Sequence, residues 1–277
     1  MTENTFLNNT AQLALTLDEL IKDHTTIIIH RHTNPDPDAI GSANGLAHVI
    51  NLNYPDKTVL VASHDEADNI DAFDLSVDIP EISYTSTKTL SIIVDTANAD
   101  RIDGPDWHKA HTTVKIDHHP DYDQVNNYAD YNFVNSLASS AAEIIVQVVE
   151  KTQLLFTEPW ILSTSDNTRA AEALYLGLIG DTGNFTFPNT TEDTFHAAAT
   201  LVSAGVNPPD IRAHLTQMEY KEYKFLGFVH HNTAFDSGIA YAIKEIQHHR
   251  RTGTQIRQQR PKYYRRSRLG LLYWRRR

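Results

Sequence analysis

Cysteine is absent from the 277 residues of this chain. Disulfide bonds and thiolate metal sites are therefore excluded, and a reducing cytoplasm fits the composition. Long apolar runs are also missing, since no stretch approaches the roughly 20 apolar residues of a membrane helix. The first thirty residues carry acidic side chains and no basic start before an apolar core. We therefore expect a cytoplasmic protein with no secretory signal and no membrane partner.

Positive charge is scarce everywhere except at the carboxyl end. Residues 247–277 hold 11 of the 24 Lys and Arg residues and none of the 35 Asp and Glu residues. Residues 1–246 therefore carry 13 basic against 35 acidic side chains, a net charge of −22. Such an acidic body does not attract nucleic acid by counterion release. It suits a protein that binds divalent cations, which then meet an anionic substrate.

Short apolar runs alternate with helical patterns along the chain. Runs rich in β-branched residues predict four buried parallel strands, at 25–30, 58–61, 90–95 and 112–117. Helical spacing predicts seven helices, at 6–22, 40–52, 138–152, 169–179, 192–204, 208–215 and 219–232. The alternation favours an α/β fold with a mainly parallel sheet flanked by helices.

The segment 32–38 places Asp36 and Asp38 two residues apart in a turn that two prolines stiffen. Two carboxylates so spaced can each point to one of two neighbouring metal ions. We interpret Gly41 and Ser42 as the opening of a helix, whose free N–H groups favour a phosphate. The alternative is an ordinary surface turn with a helix cap.

Three further groups of polar residues follow apolar segments. Asp95 ends the third strand, the run Asp117, His118 and His119 ends the fourth, and Asp181 stands between two glycines after a helix. Ligands of open parallel sheets bind beyond the carboxyl ends of the strands. Each group also has an ordinary interpretation: a cap at Asp95, a structural histidine pair, and a helix-ending loop at Asp181.

The order and spacing of the four groups carry more information than any one of them. The series H-x₃-D-x-D-x₂-G-S, strand-end Asp, Asp-His-His and Gly-Asp-Thr-Gly resembles the motifs of the DHH phosphoesterase superfamily. The segments 175–185 and 187–191 are most similar to its bacterial branch that degrades very short RNAs and dephosphorylates 3′-phosphoadenosine 5′-phosphate. The resemblance covers about residues 10–245.

The resemblance implies two metal sites that share one carboxylate. One site is expected at His32 and Asp36, the other at Asp38, His118 and Asp181, with Asp95 bridging them. It further implies that His119 faces the substrate phosphate and that Asp117 orients the histidines. We therefore expect Asp95, Asp117 and His119 to carry catalysis, and we add Ser42 to the phosphate contacts.

The resemblance implies two divalent ions, of which Mn²⁺ is favoured, although Co²⁺, Fe²⁺ and Zn²⁺ suit the same ligands. The expected reaction is in-line attack of a bridging hydroxide on phosphorus. The expected substrates are short oligoribonucleotides and a nucleoside bisphosphate, 3′-phosphoadenosine 5′-phosphate. Asn184 departs from the family pattern, which has Arg at this position, and this change is expected to weaken one phosphate contact but removes no metal ligand. The choice between a monomer and a homodimer stays open.

We divide the chain into four segments. Residues 1–190 form the expected DHH catalytic domain, and residues 191–224 a helical linker. Residues 225–246 begin a second α/β domain of the DHHA1 type. Residues 247–277 form a basic tail that is aberrant or disordered; an RNA-binding tail is the alternative.

Two other functions stay open at this stage. The Gly-rich histidine segment that grips substrate in the DHHA1 domain is absent from this sequence. A truncated metal-binding protein with little activity is therefore one alternative. A cyclic-dinucleotide phosphodiesterase is the other, because that branch shares the metal motifs.

Overall fold

Six parallel strands form the sheet on which the predicted polar groups are placed. The computed structural model describes residues 4–62, 83–84, 88–104, 106–120, 127–217, 220–236, 239–245 and 269–275. The chain divides into two units, Met1–Thr216 and Gln217–Arg277, and the six-stranded sheet belongs to the first. No helix among these residues is both long and apolar enough to cross a membrane.

The strands of this sheet are β1 (Thr5–Phe6), β2 (Thr26–His30), β3 (Thr58–Val61), β4 (Thr89–Val94), β5 (Thr112–Asp117) and β6 (Tyr131–Val134). The helices of the first unit are α1 (Thr10–Asp23), α2 (Pro37–Asn53), α3 (Ala141–Leu155), α4 (Arg169–Asp181), α5 (Glu192–Ser203) and α6 (Pro208–Leu215). The expected α/β class with a mainly parallel sheet is confirmed, and all four predicted strands form.

The strand order β1-β6-β5-β4-β2-β3 places β2 between β3 and β4. The chain therefore runs from β2 to one side and then returns to β4 on the other side. Such a reversal opens a crevice at the carboxyl ends of the strands. The strands β2, β4 and β5, which lie side by side, lead into three of the four polar groups.

Helices α2 and α4 pack against each other at unusually short range. A Cβ added to Gly41 would lie 2.5 Å from the carbonyl oxygen of Ala173 and 2.5 Å from the amide nitrogen of Gly177. Only glycine fits there, so the helix axes approach closely. This contact brings the start of α2, with Asp36 and Asp38, beside the end of α4 with Asp181.

Three predicted helix starts were wrong. The first helix begins at Thr10 rather than residue 6, because the Asn9 side chain accepts the N–H of Gln12 at 2.9 Å and caps it. The preceding residues form β1 instead. Helix α2 begins at Pro37 rather than near Gly41, because Asp36 caps it by accepting the amides of Asp38 and Ala39. Helix α3 begins at Ala141 rather than residue 138, because the Ser140 side chain accepts the N–H of Glu143 at 3.0 Å and caps it.

The second unit contains α7 (Tyr220–Asn232), β7 (Ala234–Asp236), β8 (Ile239–Glu245) and β9 (Leu269–Arg275). The three strands form an antiparallel sheet in the order β7-β8-β9. We assigned no regular structure to residues 247–277, whereas β9 forms there from a leucine and aromatic run between arginines. Residues 246–268, which include most of that segment, lie outside the described residues. Helices α5 and α6 contribute Ala197, Leu201 and Ile211 to the core of the first unit.

Candidate metal centre

The turn at the start of α2, three strand ends and the end of α4 bring seven acidic or histidine side chains together. They form three overlapping groups in which the potential ligand atoms lie within 4.8 Å of one another. The groups are His32, Asp36 and Asp95; Asp38, His118 and Asp181; and Asp95, His118 and His119. These seven side chains include every residue for which the sequence predicted a metal contact.

The first group joins the end of β2 to the turn before α2. Nε2 of His32 lies 3.5 Å from Oδ2 of Asp36 and 3.5 Å from Oδ2 of Asp95. Nδ1 of the same ring lies 2.9 Å from the carbonyl oxygen of Thr33. When Nδ1–H donates to that carbonyl, Nε2 is left facing the two carboxylates.

The second group surrounds the ring of His118. Its Nε2 atom lies 3.3 Å from Oδ1 of Asp95, 3.2 Å from Oδ2 of Asp181 and 3.9 Å from Oδ2 of Asp38. Asp38 is fully buried and Asp181 is partly exposed. The group therefore has a closed side at α2 and an open side at the end of α4.

Asp95 is part of the first group and also contacts His118 of the second, and each of its two oxygens faces one of the two histidines. Oδ2 faces His32, whereas Oδ1 faces His118. The backbone of Asp95 has φ +48°, a left-handed conformation that aspartate and asparagine tolerate better than most residues. The carboxylate of Asp95 thus stands between two separate sets of potential ligands.

The donor set fits divalent cations. Oδ1 of Asp95 and Nε2 of His118 are buried and lie 3.3 Å apart, and neither makes a well-aligned hydrogen bond within the described part of the chain. Buried polar atoms without partners are costly, so this geometry favours a cation that both atoms could contact. Imidazole and carboxylate ligands together suit Mn²⁺, Fe²⁺, Co²⁺ and Zn²⁺.

Electrostatics point the same way. Burial would lower the pKa of His32 and His118, but hydrogen bonds and charges of the adjacent carboxylates raise it to about 10 and about 11. Burial, followed by the negative charges of Asp95 and Asp181, raises the pKa of Asp38 well above its ordinary range. The cluster therefore stabilises positive charge: it binds protons in the metal-free protein, and divalent cations could take their place.

Asp38 is held by a contact that sequence inspection missed. Its Oδ2 atom accepts the N–H of Ala141 at 2.7 Å, and Oδ1 accepts the N–H of Ala142 at 3.0 Å. These amides open α3, where the helix dipole favours a negative charge. The two residues are more than a hundred positions from Asp38 in sequence, and no local signal identifies the pairing.

Asp117 organises the two histidines that follow it. Oδ1 of Asp117 accepts Nδ1–H of His119 at 2.8 Å and the backbone N–H of His118 at 3.0 Å. Burial would raise the pKa of Asp117, but the hydrogen bond from His119 and the charge of Lys115 lower it below its ordinary value. The ring of His119 is 39% exposed, so it can meet a substrate while Asp117 fixes its orientation.

Ser42 does not lie where a phosphate contact requires it. It is fully buried inside α2, beyond the first turn, and its hydroxyl has no hydrogen-bond partner among the described residues. The expectation depended on a helix that opens at Gly41, and the cap at Asp36 overturns that start. We therefore leave Ser42 out of the proposal below.

The loop after Asp181 has strained backbone. Gly183, Asn184 and Phe185 all have positive φ angles, of 53°, 56° and 64°. A cavity of about 540 Å³ lies beside it, and its lining includes Asn184, Phe185 and Arg212. Positive φ at non-glycine residues is costly and concentrates at functional sites.

The model of the DHH family, N-terminal domain, matches residues 26–178 of this chain. The chain belongs to the DHH family. The Asp-His-His motif that gives the family its name is Asp117, His118 and His119 in this chain. The match spans the five strands β2 to β6 and most of α4.

Several curated relatives resemble this DHH protein over most of its length. It is 37% identical over 223 residues to the probable bifunctional oligoribonuclease and PAP phosphatase NrnA of Streptococcus mutans, covering 80% of this chain and 67% of that protein. It is 34% identical to the NrnA of Bacillus subtilis, covering 79% and 66%. It is 26% identical to the cyclic-di-AMP phosphodiesterase GdpP of Bacillus subtilis, covering 82% and 35%.

A solved structure supports the fold. An exopolyphosphatase-related protein from Bacteroides fragilis superposes with a TM-score of 0.65 at 20% identity, covering 81% of this chain and 66% of that one. The DHH protein described here spans about two thirds of the length of the NrnA relatives it matches.

Proposed function

We propose that this DHH protein is a divalent-metal-dependent phosphoesterase that hydrolyses short oligoribonucleotides and 3′-phosphoadenosine 5′-phosphate. The observation that carries the proposal is the placement of Asp95, whose two oxygens face two separate groups of carboxylate and imidazole ligands. The names of the relatives, bifunctional oligoribonuclease and PAP phosphatase, support the substrate class.

Two ions, with Mn²⁺ favoured, would bind in the arrangement that the sequence predicts. His32 and Asp36 would hold one ion, and Asp38, His118 and Asp181 the other, with Asp95 shared. When bound, the two ions would supply Lewis acidity at the phosphate oxygens and acidify the attacking water.

The residues of the chain would orient the substrate and manage charge. His119 would donate a hydrogen bond from its exposed edge to a phosphate oxygen, while Asp117 holds its Nδ1–H. The two amides at the start of α3 hold Asp38, so that its carboxylate would keep its position when a substrate binds. Four clustered carboxylates repel an anionic substrate in the absence of cations, which makes the reaction dependent on metal.

The cavity beside Asn184 offers a position for the nucleoside. Its volume of about 540 Å³ lies in the range of small-molecule sites. The ring of Phe185 can stack on a base, and Arg212 can pair with a second phosphate. Asn184 stands three residues after Asp181, so a substrate bound here would be close to the centre.

The test is phosphate release from 3′-phosphoadenosine 5′-phosphate and cleavage of a labelled RNA dinucleotide, each with Mn²⁺ and with chelator. We expect turnover that requires Mn²⁺ and disappears with chelator. Cyclic di-AMP serves as a third substrate, and a preference for it would assign the protein to the phosphodiesterase branch instead. A folded, Mn²⁺-loaded sample that turns over none of the three would refute the proposal.

A further inference from the structure

A lysine stands fully buried in the middle of the parallel sheet. Lys115 occupies β5 between Val114 and Ile116, and none of its side chain is exposed. Burying an ammonium group is expensive unless polar and charged groups compensate for it. The contacts of its amino group therefore indicate the role of this lysine.

One contact reaches the loop that follows β4. Nζ of Lys115 donates to the carbonyl oxygen of Ala97 at 3.1 Å and lies 5.0 Å from the ring centroid of Tyr128. The hydroxyl of Tyr128 in turn donates to the carbonyl oxygen of Thr96 at 2.7 Å. Lys115 and Tyr128 thus hold the two consecutive carbonyl groups that directly follow Asp95. Asp95 itself has the left-handed backbone with φ +48°.

A further contact reaches Asp117, at the end of β5. Nζ of Lys115 lies 3.3 Å from Oδ2 of Asp117, an ion pair outside hydrogen-bond geometry. The opposite oxygen of the same carboxylate holds the ring of His119 and the backbone N–H of His118. The charge of Lys115 therefore favours the orientation of the Asp117 carboxylate in which its opposite oxygen faces the histidines.

We propose that Lys115 is a positioning residue that joins the Asp95 loop to the Asp117–His119 loop and thereby sets the geometry of the metal centre. Through one ammonium group it restrains both partners of the 3.3 Å contact between Asp95 and His118. By fixing the Asp117 carboxylate, it also maintains the orientation of the His119 ring. The proposal rests on the proposed function in that it assigns metal to these residues.

The first experiment compares Lys115→Met with Thr113→Val. Met has similar length without the charge, whereas Thr113 lies near the start of the same strand and exchanges partly buried hydrogen bonds with Asp130 at 2.9 Å. Thr113→Val therefore shows the effect of losing a side-chain hydrogen-bonding group on β5 while the charge of Lys115 is kept. Urea unfolding in chelator checks that both variants fold.

The metal-dependent readout is Mn²⁺ binding, followed by electron paramagnetic resonance. We expect Lys115→Met to weaken Mn²⁺ binding about 10- to 100-fold, the range seen when groups behind metal ligands are removed. The spectrum of an exchange-coupled Mn²⁺ pair should weaken with it, whereas Thr113→Val should retain both. Equal effects of the two variants would reduce Lys115 to a stabilising residue and overturn the proposal.

A metal-free readout separates this proposal from the function. In metal-free wild type, the Nδ1–H of His119 should give a low-field proton signal because Asp117 accepts it. Lys115→Met should broaden or abolish the signal, and Thr113→Val should retain it. An unchanged signal in Lys115→Met would contradict the proposal even if the wild type lacked all phosphoesterase activity. Conversely, an inactive wild type with the expected spectra would refute only the function.

Tyr128→Phe provides a milder variant in case Lys115→Met does not fold. It removes the hydrogen bond to Thr96 and keeps the ring near Lys115, so Mn²⁺ binding should weaken in the same direction with the fold retained. If the wild type is active, a double-mutant cycle with Lys115→Met and Asp117→Asn adds a test through kcat/KM. Strongly non-additive losses are expected, because Lys115 acts through Asp117; additive losses would contradict this.

Discussion

Gly177 lies against the carboxylate of Asp38, with room for a hydrogen atom and no more. A Cβ on Gly177 would lie 2.7 Å from Oδ1 of Asp38 and 2.8 Å from the Cβ of Ala142. Gly177→Ala should therefore push Asp38 off the amides of α3, cost about 1–3 kcal/mol of stability and weaken Mn²⁺ binding. Urea unfolding and Mn²⁺ titration measure the two effects.

Gly227→Ala is the matched control. Among the described residues no atom lies within 4 Å of a Cβ at Gly227, which is in α7. Alanine there should stabilise the helix by up to about 1 kcal/mol without affecting Mn²⁺ binding. Wild-type Mn²⁺ affinity in Gly177→Ala would show that Asp38 does not take part in the centre.

Asp95→Asn tests the bridging carboxylate with the least disturbance. Asparagine has the same shape and tolerates φ +48°, whereas alanine would add backbone strain. Loss of the charge should reduce kcat by at least about 10²–10³-fold, as for other groups that stabilise a transition state. Steady-state kinetics at saturating Mn²⁺ measure the loss.

Asp100→Asn, on an exposed residue of the same connection, should leave kcat unchanged. Near-normal turnover in Asp95→Asn would rule out a carboxylate shared between two ions. A matching loss in Asp100→Asn would show that any negative charge near β4 matters, rather than the position of Asp95.

The strand-end part of the centre was predictable because a parallel sheet has a simple geometry. Each β-branched run identifies a strand, and all such strands end at one edge. His32, Asp95 and the run Asp117–His119 follow three of these runs, and the structure places them on adjacent strands. Their meeting follows from the parallel fold class together with the strand order, in which β2, β4 and β5 are neighbours.

Other features depend on contacts that no local pattern encodes. The hydrogen bonds from the amides of Ala141 and Ala142 to Asp38 join segments more than a hundred residues apart. Strand β1 has two residues, too few for a period. Ser42 was misplaced because Gly41 was interpreted as a helix start, whereas the glycine serves the close contact between α2 and α4. A lysine within an apolar strand was the one signal for Lys115.

Mn²⁺ binding should release protons and strengthen as pH rises. The pKa values of about 10 for His32 and about 11 for His118 mean that both rings are protonated at neutral pH in the metal-free protein. A cation must displace those protons, so high proton concentration opposes binding. Calorimetric titrations between pH 6.5 and 8.5, in two buffers of different ionisation enthalpy, should show proton release and a falling Kd. Proton uptake, or a Kd that rises with pH, would contradict this electrostatic account.

Glu143 should be a main stabilising residue behind the centre. It is buried, and its Oε2 atom accepts from the Ser139 hydroxyl at 2.6 Å and the Thr194 hydroxyl at 2.8 Å, which ties α3 to α5. Glu143→Ala removes the shared acceptor of both hydroxyls, of which Thr194 keeps its contacts with Thr191, and should cost about 2–4 kcal/mol. Gln147→Ala, which removes a donor to Oε1 and leaves the Oε2 contacts intact, should cost less than about 1 kcal/mol.

Urea unfolding in chelator measures both costs without a contribution from bound metal. Since Ser139 lies just before the amides that hold Asp38, Glu143→Ala should also weaken Mn²⁺ binding. A smaller loss of stability in Glu143→Ala than in Gln147→Ala would show that the hydroxyls find other partners. The start of α3 would then be held by the packing of its apolar face rather than by this carboxyl group.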